Sequence, residues 1–306
     1  MKKIIEVDGL VKNYGDVQAV KGISFYVEES KLFSFLGPNG AGKSTTIDTL
    51  CTLMAFDSGT VTINGCNLKY EAQAIRKNIG VVFQDSVLDN LLTVRENLII
   101  RAGLYENDKQ AIKSMVDDVV EIAQLSEFLK RPYGRLSGGQ RRRADIAAAL
   151  LHKPKILFLD EPTTGLDPQT RVVIWETIKQ LQKDTGMTIF LTTHYMEEAA
   201  ESDYIVVIDH GEIVAKGTPA TLKTEYASDS LRIVSNGVDS HEEIIRRLGL
   251  MKLDHEVAHD VIIVKVTETM KALKILDLCR EHINSFQVLQ GTMDDAFIGI
   301  TGRDIR

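Results

Sequence analysis

At 306 residues and 44% hydrophobic content, the chain has room for two domains and enough apolar material for a sizeable core, which excludes a disordered or fibrous polypeptide. A net charge of −7 and a pI near 5.6 argue against nucleic acid as a partner, because backbone-phosphate binding needs a basic surface and the run Arg141 to Arg143 is short. Cys51, Cys66 and Cys279 form no Cys-x-x-Cys pair, so neither a disulfide framework nor a zinc knuckle is indicated.

Glu6 and Asp8 interrupt the apolar run that a signal peptide would need, and no stretch approaches the roughly 20 apolar residues that span a bilayer. A cytoplasmic protein is expected, with any membrane role exercised through a partner chain. Up to about residue 70 the pattern is strand-like, with β-rich runs at 4–7, 17–27, 31–36 and 60–63 broken by turns.

Between two of these runs, Gly37, Pro38, Asn39, Gly40, Ala41, Gly42, Lys43, Ser44 and Thr45 match the P-loop pattern, placed after a strand and before a helix that starts near Gly42. The glycines let successive N–H groups turn inward towards phosphate oxygens, and the helix that follows adds its positive N-terminal end. Lys43 is therefore expected to hold the β- and γ-phosphates of a nucleotide, and Ser44 to ligate Mg2+.

From 93 to about 128 the period becomes helical, opening on the capping box Thr93-x-x-Glu96. Next comes Leu136-Ser137-Gly138-Gly139-Gln140. Ser137 can cap a helix running through 141–151, and the two glycines leave its N-terminus bare enough for a phosphate to approach. This makes a second anion site in a chain that already has one phosphate cradle.

The runs 155–159 and 188–192 are near-continuously apolar, as parallel strands buried on both faces require, and a helix at 168–183 separates them. Asp160 and Glu161 therefore emerge at the carboxyl edge of the sheet, where open α/β folds bind ligands. Asp160 is expected to stabilise Mg2+, directly or through water, and Glu161 to polarise the water that attacks the γ-phosphate. A hairpin, 205–208 and 213–215, closes this part.

The polar, turn-rich segment 225–230 sets an expected boundary, dividing the chain into domains 1–226 and 227–306. Beyond it, strand 231–234, helix 240–248, strand 261–266, helix 270–282 and strand 286–289 suggest a small α+β sandwich of ferredoxin-like type. His255-Glu256-Val257-Ala258-His259 has the spacing of a zinc protease, which works only on a helix; Asp260 and the β-branched run after it favour a hairpin, so zinc chemistry is not expected.

In this order the motifs resemble those of the nucleotide-binding subunit of an ABC transporter, over residues 1 to about 222. The resemblance implies an α/β P-loop ATPase fold with antiparallel β and helical subdomains, the latter at about 86–153; the small α+β domain that follows is expected to be accessory or regulatory, adding dimer contact or regulating the ATPase. It implies that Gln84, in Val-Val-Phe-Gln-Asp, contacts Mg2+ and senses the transmembrane partner, and that His194 hydrogen-bonds the γ-phosphate. Asp167 would shape a dimer contact, and Tyr14 matches the position on which the family stacks adenine. Ser137 to Gln140 would reach the nucleotide held by a second nucleotide-binding subunit, in a homodimer or a heterodimer with a similar chain. Ala148, where many relatives have arginine, departs from the pattern.

The tail 292–302 is similar to that of ABC-2 type exporters, including drug and antibiotic efflux systems. What this implies is an ATP-hydrolysing subunit, peripheral on the cytoplasmic face of the membrane through integral-membrane permease subunits, that powers export. The alternative is an ABC-type ATPase that moves no solute, acting in regulation or on nucleic acid or ribosomes. Repair members carry long coiled coils before the signature and translation factors carry two cassettes, and this sequence has neither. A GTPase or small-molecule kinase is disfavoured by the signature and by the missing Asn-Lys-x-Asp string.

Overall fold

The computed structural model describes residues 2–266 and 269–302, and the chain falls into two compact units, Met1–Lys216 and Gly217–Arg306. In the first, the described strands of the central sheet run in the order Glu212–Gly217, Tyr204–Asp209, Leu32–Leu36, Thr188–Thr193, Ile156–Asp160, Ile79–Val82. From Tyr204–Asp209 to Ile79–Val82 the neighbours pair in parallel.

The near-continuous apolar strands are explained by what lies on each face. Side chains alternate across a strand, and both faces here are covered. Leu157, Leu159, Ile189 and Leu191 enter a core shared with the helices Val94–Ala102, Lys109–Ile122 and Gly138–Leu150. Ile156, Phe158, Phe190, Phe33 and Phe35 enter a second core, shared with an antiparallel sheet ordered Val17–Glu28, Lys3–Tyr14, Ser58–Ile63, Cys66–Asn67. In that second core Phe190 lies 5.0 Å from Phe33 and 5.3 Å from Phe158 between ring centroids. The expected capping box is present, with Thr93 and Glu96 each bonding the other's backbone N–H.

The second unit is a β-α-β-β-α-β array. Strands Asp229–Ser235, His255–Ala258, Val261–Val266 and Ile283–Leu289 form an antiparallel sheet, with His255–Ala258 beside Val261–Val266, then Asp229–Ser235, then Ile283–Leu289. Helices Val238–Leu250 and Lys271–Cys279 cover one face through Ile244, Leu248, Ile275 and Cys279. The zinc-like spacing falls on the strand His255–Ala258 and a turn at His259, where φ is 57°, so its two histidines lack the shared helical face such a site needs.

The sequence-derived boundary near 227 falls inside this unit. Helix Pro219–Tyr226, capped by Thr218, packs on the closing helix Met293–Thr301, and Leu222 is fully buried. Gly299 lets the two backbones meet, since a Cβ there would stand 2.3 Å from the Tyr226 carbonyl oxygen. The polar residues at 225–230 mark the end of that helix, not the edge of a domain.

Phe190→Ala removes the ring at the centre of the aromatic cluster, where its side chain is fully buried. A loss of about 3–5 kcal/mol in unfolding free energy is expected by denaturant titration, the range for a large-to-small change in a core.

Candidate functional site

The turn after strand Leu32–Leu36 feeds helix Lys43–Leu50, whose N-cap is Gly42 at φ 106° with no side chain capping the helix. Its first amides are therefore left for a ligand. Gly42 is required twice over, by that φ and because a Cβ would lie 2.6 Å from the Ala19 carbonyl oxygen. Lys43 folds back over the turn, donating to the carbonyls of Gly37 at 2.8 Å and Pro38 at 3.1 Å.

Two strands away in the sheet, Ile156–Asp160 ends at the same sheet edge. Glu161 follows it with φ 43°, a left-handed conformation uncommon outside glycine and frequent at functional sites. Thr192 on the neighbouring strand holds it there: its hydroxyl accepts from the Glu161 N–H at 3.0 Å and donates to Asp160 at 2.5 Å. The Glu161 carboxylate meets Lys43 Nζ at 3.2 Å, accepts from the Thr164 hydroxyl at 3.0 Å and lies 3.2 Å from His194 Nδ1. The His194 approach lacks hydrogen-bond alignment.

Burial pushes the Glu161 carboxyl up, but the charge and hydrogen bond of Lys43, with His194 and Thr164, outweigh it and leave the group below its ordinary value. Burial dominates at Lys43, whose pKa is lowered in spite of Glu161 and Asp160. Asp160 is raised, mainly by burial. The pocket thus holds an incompletely compensated ammonium, which suits an incoming anion. Lys43, Ser44, Thr45, Gln84, Glu161 and His194 share one cleft of about 490 Å3.

Among the described residues, no three His, Cys, Asp or Glu side chains cluster as a metal site of their own. The oxygen donors available are Ser44 and Gln84 on the cleft and Asp160 beside Glu161, a hard-oxygen set that fits Mg2+ when phosphate oxygens complete it.

The signature occupies a different place. Ser137 caps helix Gly138–Leu150, and Gln140 returns a bond to the Ser137 N–H, a capping box that the sequence reading took only as far as Ser137. Gly138 and Gly139 are small because the next helix is close: a Cβ would stand 2.7 Å from Leu166 Cδ2 at the first and 2.4 Å from Thr170 Cγ2 at the second. Asp167 caps that helix, Pro168–Thr185, by accepting from the Thr170 N–H at 3.0 Å. None of residues 137–140, Asp167 or Tyr14 lines the Lys43 cleft. Tyr14 sits half-exposed at the end of Lys3–Tyr14 with the Lys12 ammonium 5.5 Å from its ring centroid.

Arg142 belongs to none of the sequence motifs, yet it borders the site. It is buried, and its guanidinium donates to the carbonyls of Phe83 at 2.6 Å and Gln84 at 3.1 Å, fixing the loop that carries Gln84. Its neighbours are similarly occupied, Arg141 with the Gly134 carbonyl and Arg143 with that of Gln124. What reads in sequence as a basic patch is three separate carbonyl clasps. The available signal was spacing, since Arg142, Ile146 and Ala149 share the buried side of the helix.

Residues 20–164 match the family described as ABC transporter. The chain is 36% identical to the linearmycin resistance ATP-binding protein LnrL of Bacillus subtilis, over 99% of this chain and 100% of that one. It is 35% identical to the Nod factor export ATP-binding protein I of Paraburkholderia xenovorans, over 99% and 98%. Among solved structures it resembles the dimeric ATP-binding cassette MJ0796 in a post-hydrolysis state with ADP and Pi, with a TM-score of 0.64 and 28% identity over 70% of this chain and 98% of that one.

Because the Glu161 pKa is depressed in the folded state, the stability it contributes is present above the ordinary carboxylate value of 4.5 and is lost as pH falls through the lowered value. The difference in unfolding free energy between the wild type and Glu161→Gln is therefore expected to be level near neutral pH and to shrink only in more acidic solution. Melting curves collected across that range check it.

Proposed function

We infer that this chain, which belongs to the ABC transporter family, is the ATP-binding, ATP-hydrolysing subunit that powers a separate membrane permease, and that it works in export. The family assignment brings ATP binding and hydrolysis with it. Export is the reading favoured by full-length likeness to a resistance subunit and an export subunit. None of the described helices is long and apolar enough to cross a membrane, so the permease is taken to be another chain, with this one docked on its cytoplasmic face.

The observation that carries the mechanism is the pairing of Lys43 with Glu161 in the phosphate cleft. An arriving γ-phosphate competes for the ammonium. As it draws Lys43 away, Glu161 loses the charge that depresses its pKa and becomes a stronger base for the attacking water, under the influence of burial. His194, 3.2 Å from the same carboxylate, would contact the γ-phosphate once that competition is resolved. Ser44, Gln84 and Asp160 would hold Mg2+, which when bound neutralises charge on the β- and γ-phosphate oxygens.

Residues 137–140 and Asp167 stand apart from their own chain's cleft, which supports their serving a nucleotide held by a second subunit. The favoured partner is a second copy in a head-to-tail dimer that closes on ATP and reopens on hydrolysis. Tyr14 keeps its proposed role as the adenine platform, being exposed enough to stack. The unit beginning at Gly217 is proposed to add dimer contact or to regulate the ATPase; unchanged oligomerisation, ATPase rate and transport in a chain ending at Lys216 would refute that.

Glu161→Gln keeps the shape and removes the base. Turnover is expected to fall by about 10²- to 10⁴-fold, the range for a general base, while ATP binding persists and the ATP-bound dimer accumulates. Steady-state ATPase assays and size-exclusion chromatography with ATP read the two effects, and normal turnover in this variant would sink the mechanism.

A further inference from the structure

Glu198 is a buried carboxylate that the mechanism above does not use. It lies on the short helix Met196–Ala199, just after His194, and does not line the phosphate cleft. A buried charge is tolerated only where donors compensate it. Here each carboxylate oxygen has one hydroxyl: Thr163 donates to Oε1, and Thr193 donates to Oε2 at 2.6 Å. Both threonines are themselves buried.

The two threonines belong to the two segments that carry the reacting groups. Thr163 is two residues beyond Glu161, in a turn where the Thr164 N–H donates to the Glu161 carbonyl at 3.2 Å and the Leu166 N–H to the Thr163 carbonyl at 3.1 Å. Thr193 directly precedes His194. Its hydroxyl accepts from the Tyr195 N–H at 2.9 Å, and its carbonyl accepts from the Gly37 N–H, the first amide of the phosphate loop, at 3.3 Å. One carboxylate therefore spans the Glu161 turn and the His194 strand end.

We propose that Glu198 is a positioning residue, a clamp whose two oxygens set the spacing between Glu161 and His194 by gripping Thr163 and Thr193. The proposal rests on the reading of Glu161 as the base. The carboxylate is what the geometry needs, since both hydroxyls point their protons at it. A glutamine offers one acceptor and one donor group, so it can keep both contacts only if one of the two buried hydroxyls turns its proton away from the clamp and accepts instead.

The test is a kcat-against-KM comparison on the full chain. Thr163→Val, Thr193→Val and Glu198→Gln, all close in volume to the native residues, are expected to lower kcat for ATP hydrolysis by about tenfold to a hundredfold while KM for ATP stays within about threefold, because a small misplacement costs turnover more than binding. Thr163→Ser restores the hydroxyl and is expected to retain most of kcat. Adding Glu198→Gln to Thr163→Val is expected to lower kcat by much less than Glu198→Gln does alone, as for groups that act as one unit. ATP-binding stoichiometry corrects every rate for the folded fraction. Corrected kcat values within about twofold of wild type for the valine variants, or equal losses for Thr163→Ser and Thr163→Val, would overturn the clamp. Glu161→Gln run beside them separates the two readings: a dead Glu161→Gln with active clamp variants removes only the clamp, whereas an active Glu161→Gln removes the base on which it rests.

Discussion

An ammonium and a carboxylate held 3.2 Å apart inside the protein, Lys43 and Glu161, are the contact from which the rest of the site is organised. Taking both charges out of water is costly, and their attraction repays it only when further hydrogen bonds complete each shell. The Gly37 and Pro38 carbonyls do this for Lys43, and the Thr164 hydroxyl does it for Glu161. Neither shell would exist unless three parallel strands ended together. Leu36 pairs beside Thr193 and Asp160 beside Thr192, which brings the phosphate loop, the Glu161 carboxylate and His194 to one edge.

That arrangement also makes the pair provisional. The lowered Lys43 pKa says that one carboxylate does not compensate the buried charge, while the depressed Glu161 pKa says that the carboxylate is held as a weak base for as long as the pair lasts. In the proposed mechanism a γ-phosphate would relieve the first condition by ending the second. The strength of the base would thereby be tied to occupancy of the cleft.

The helix Gly138–Leu150 connects this cleft to the signature. At its N-terminus the two glycines abut Leu166 and Thr170, and one turn further on Arg142 grips the Phe83 and Gln84 carbonyls. A helix moves as a rigid element, so displacing it either breaks those two bonds or takes the Gln84 loop along. Its buried face explains why three consecutive arginines, which look like a solvated charge run, are each spoken for by a backbone carbonyl.

Much was legible without coordinates wherever the determining forces are local. The Thr93 and Ser137 caps, the left-handed glycine at 42 and the doubly buried strands 156–160 and 188–193 each follow from residues a few positions apart. The strand Ile79–Val82 was not foreseen, because a short edge strand carries little pattern beyond its pairing with Ile156–Asp160. The helix Pro219–Tyr226 was not foreseen for a similar reason: it packs on the closing helix, which is distant in sequence.

The sequence by itself thus determined the chemistry on offer, a phosphate loop, an acidic pair, a histidine and a capped signature, since each motif is a run of neighbours with its own backbone requirements. Only the tertiary structure decided which of them meet. Lys43 with Glu161, Arg142 with the Gln84 loop and Glu198 with Thr163 are contacts between residues distant in the chain. They are set by strand order and by burial, which raises the energetic stakes of every unpaired charge and so selects the partners that no local spacing encodes.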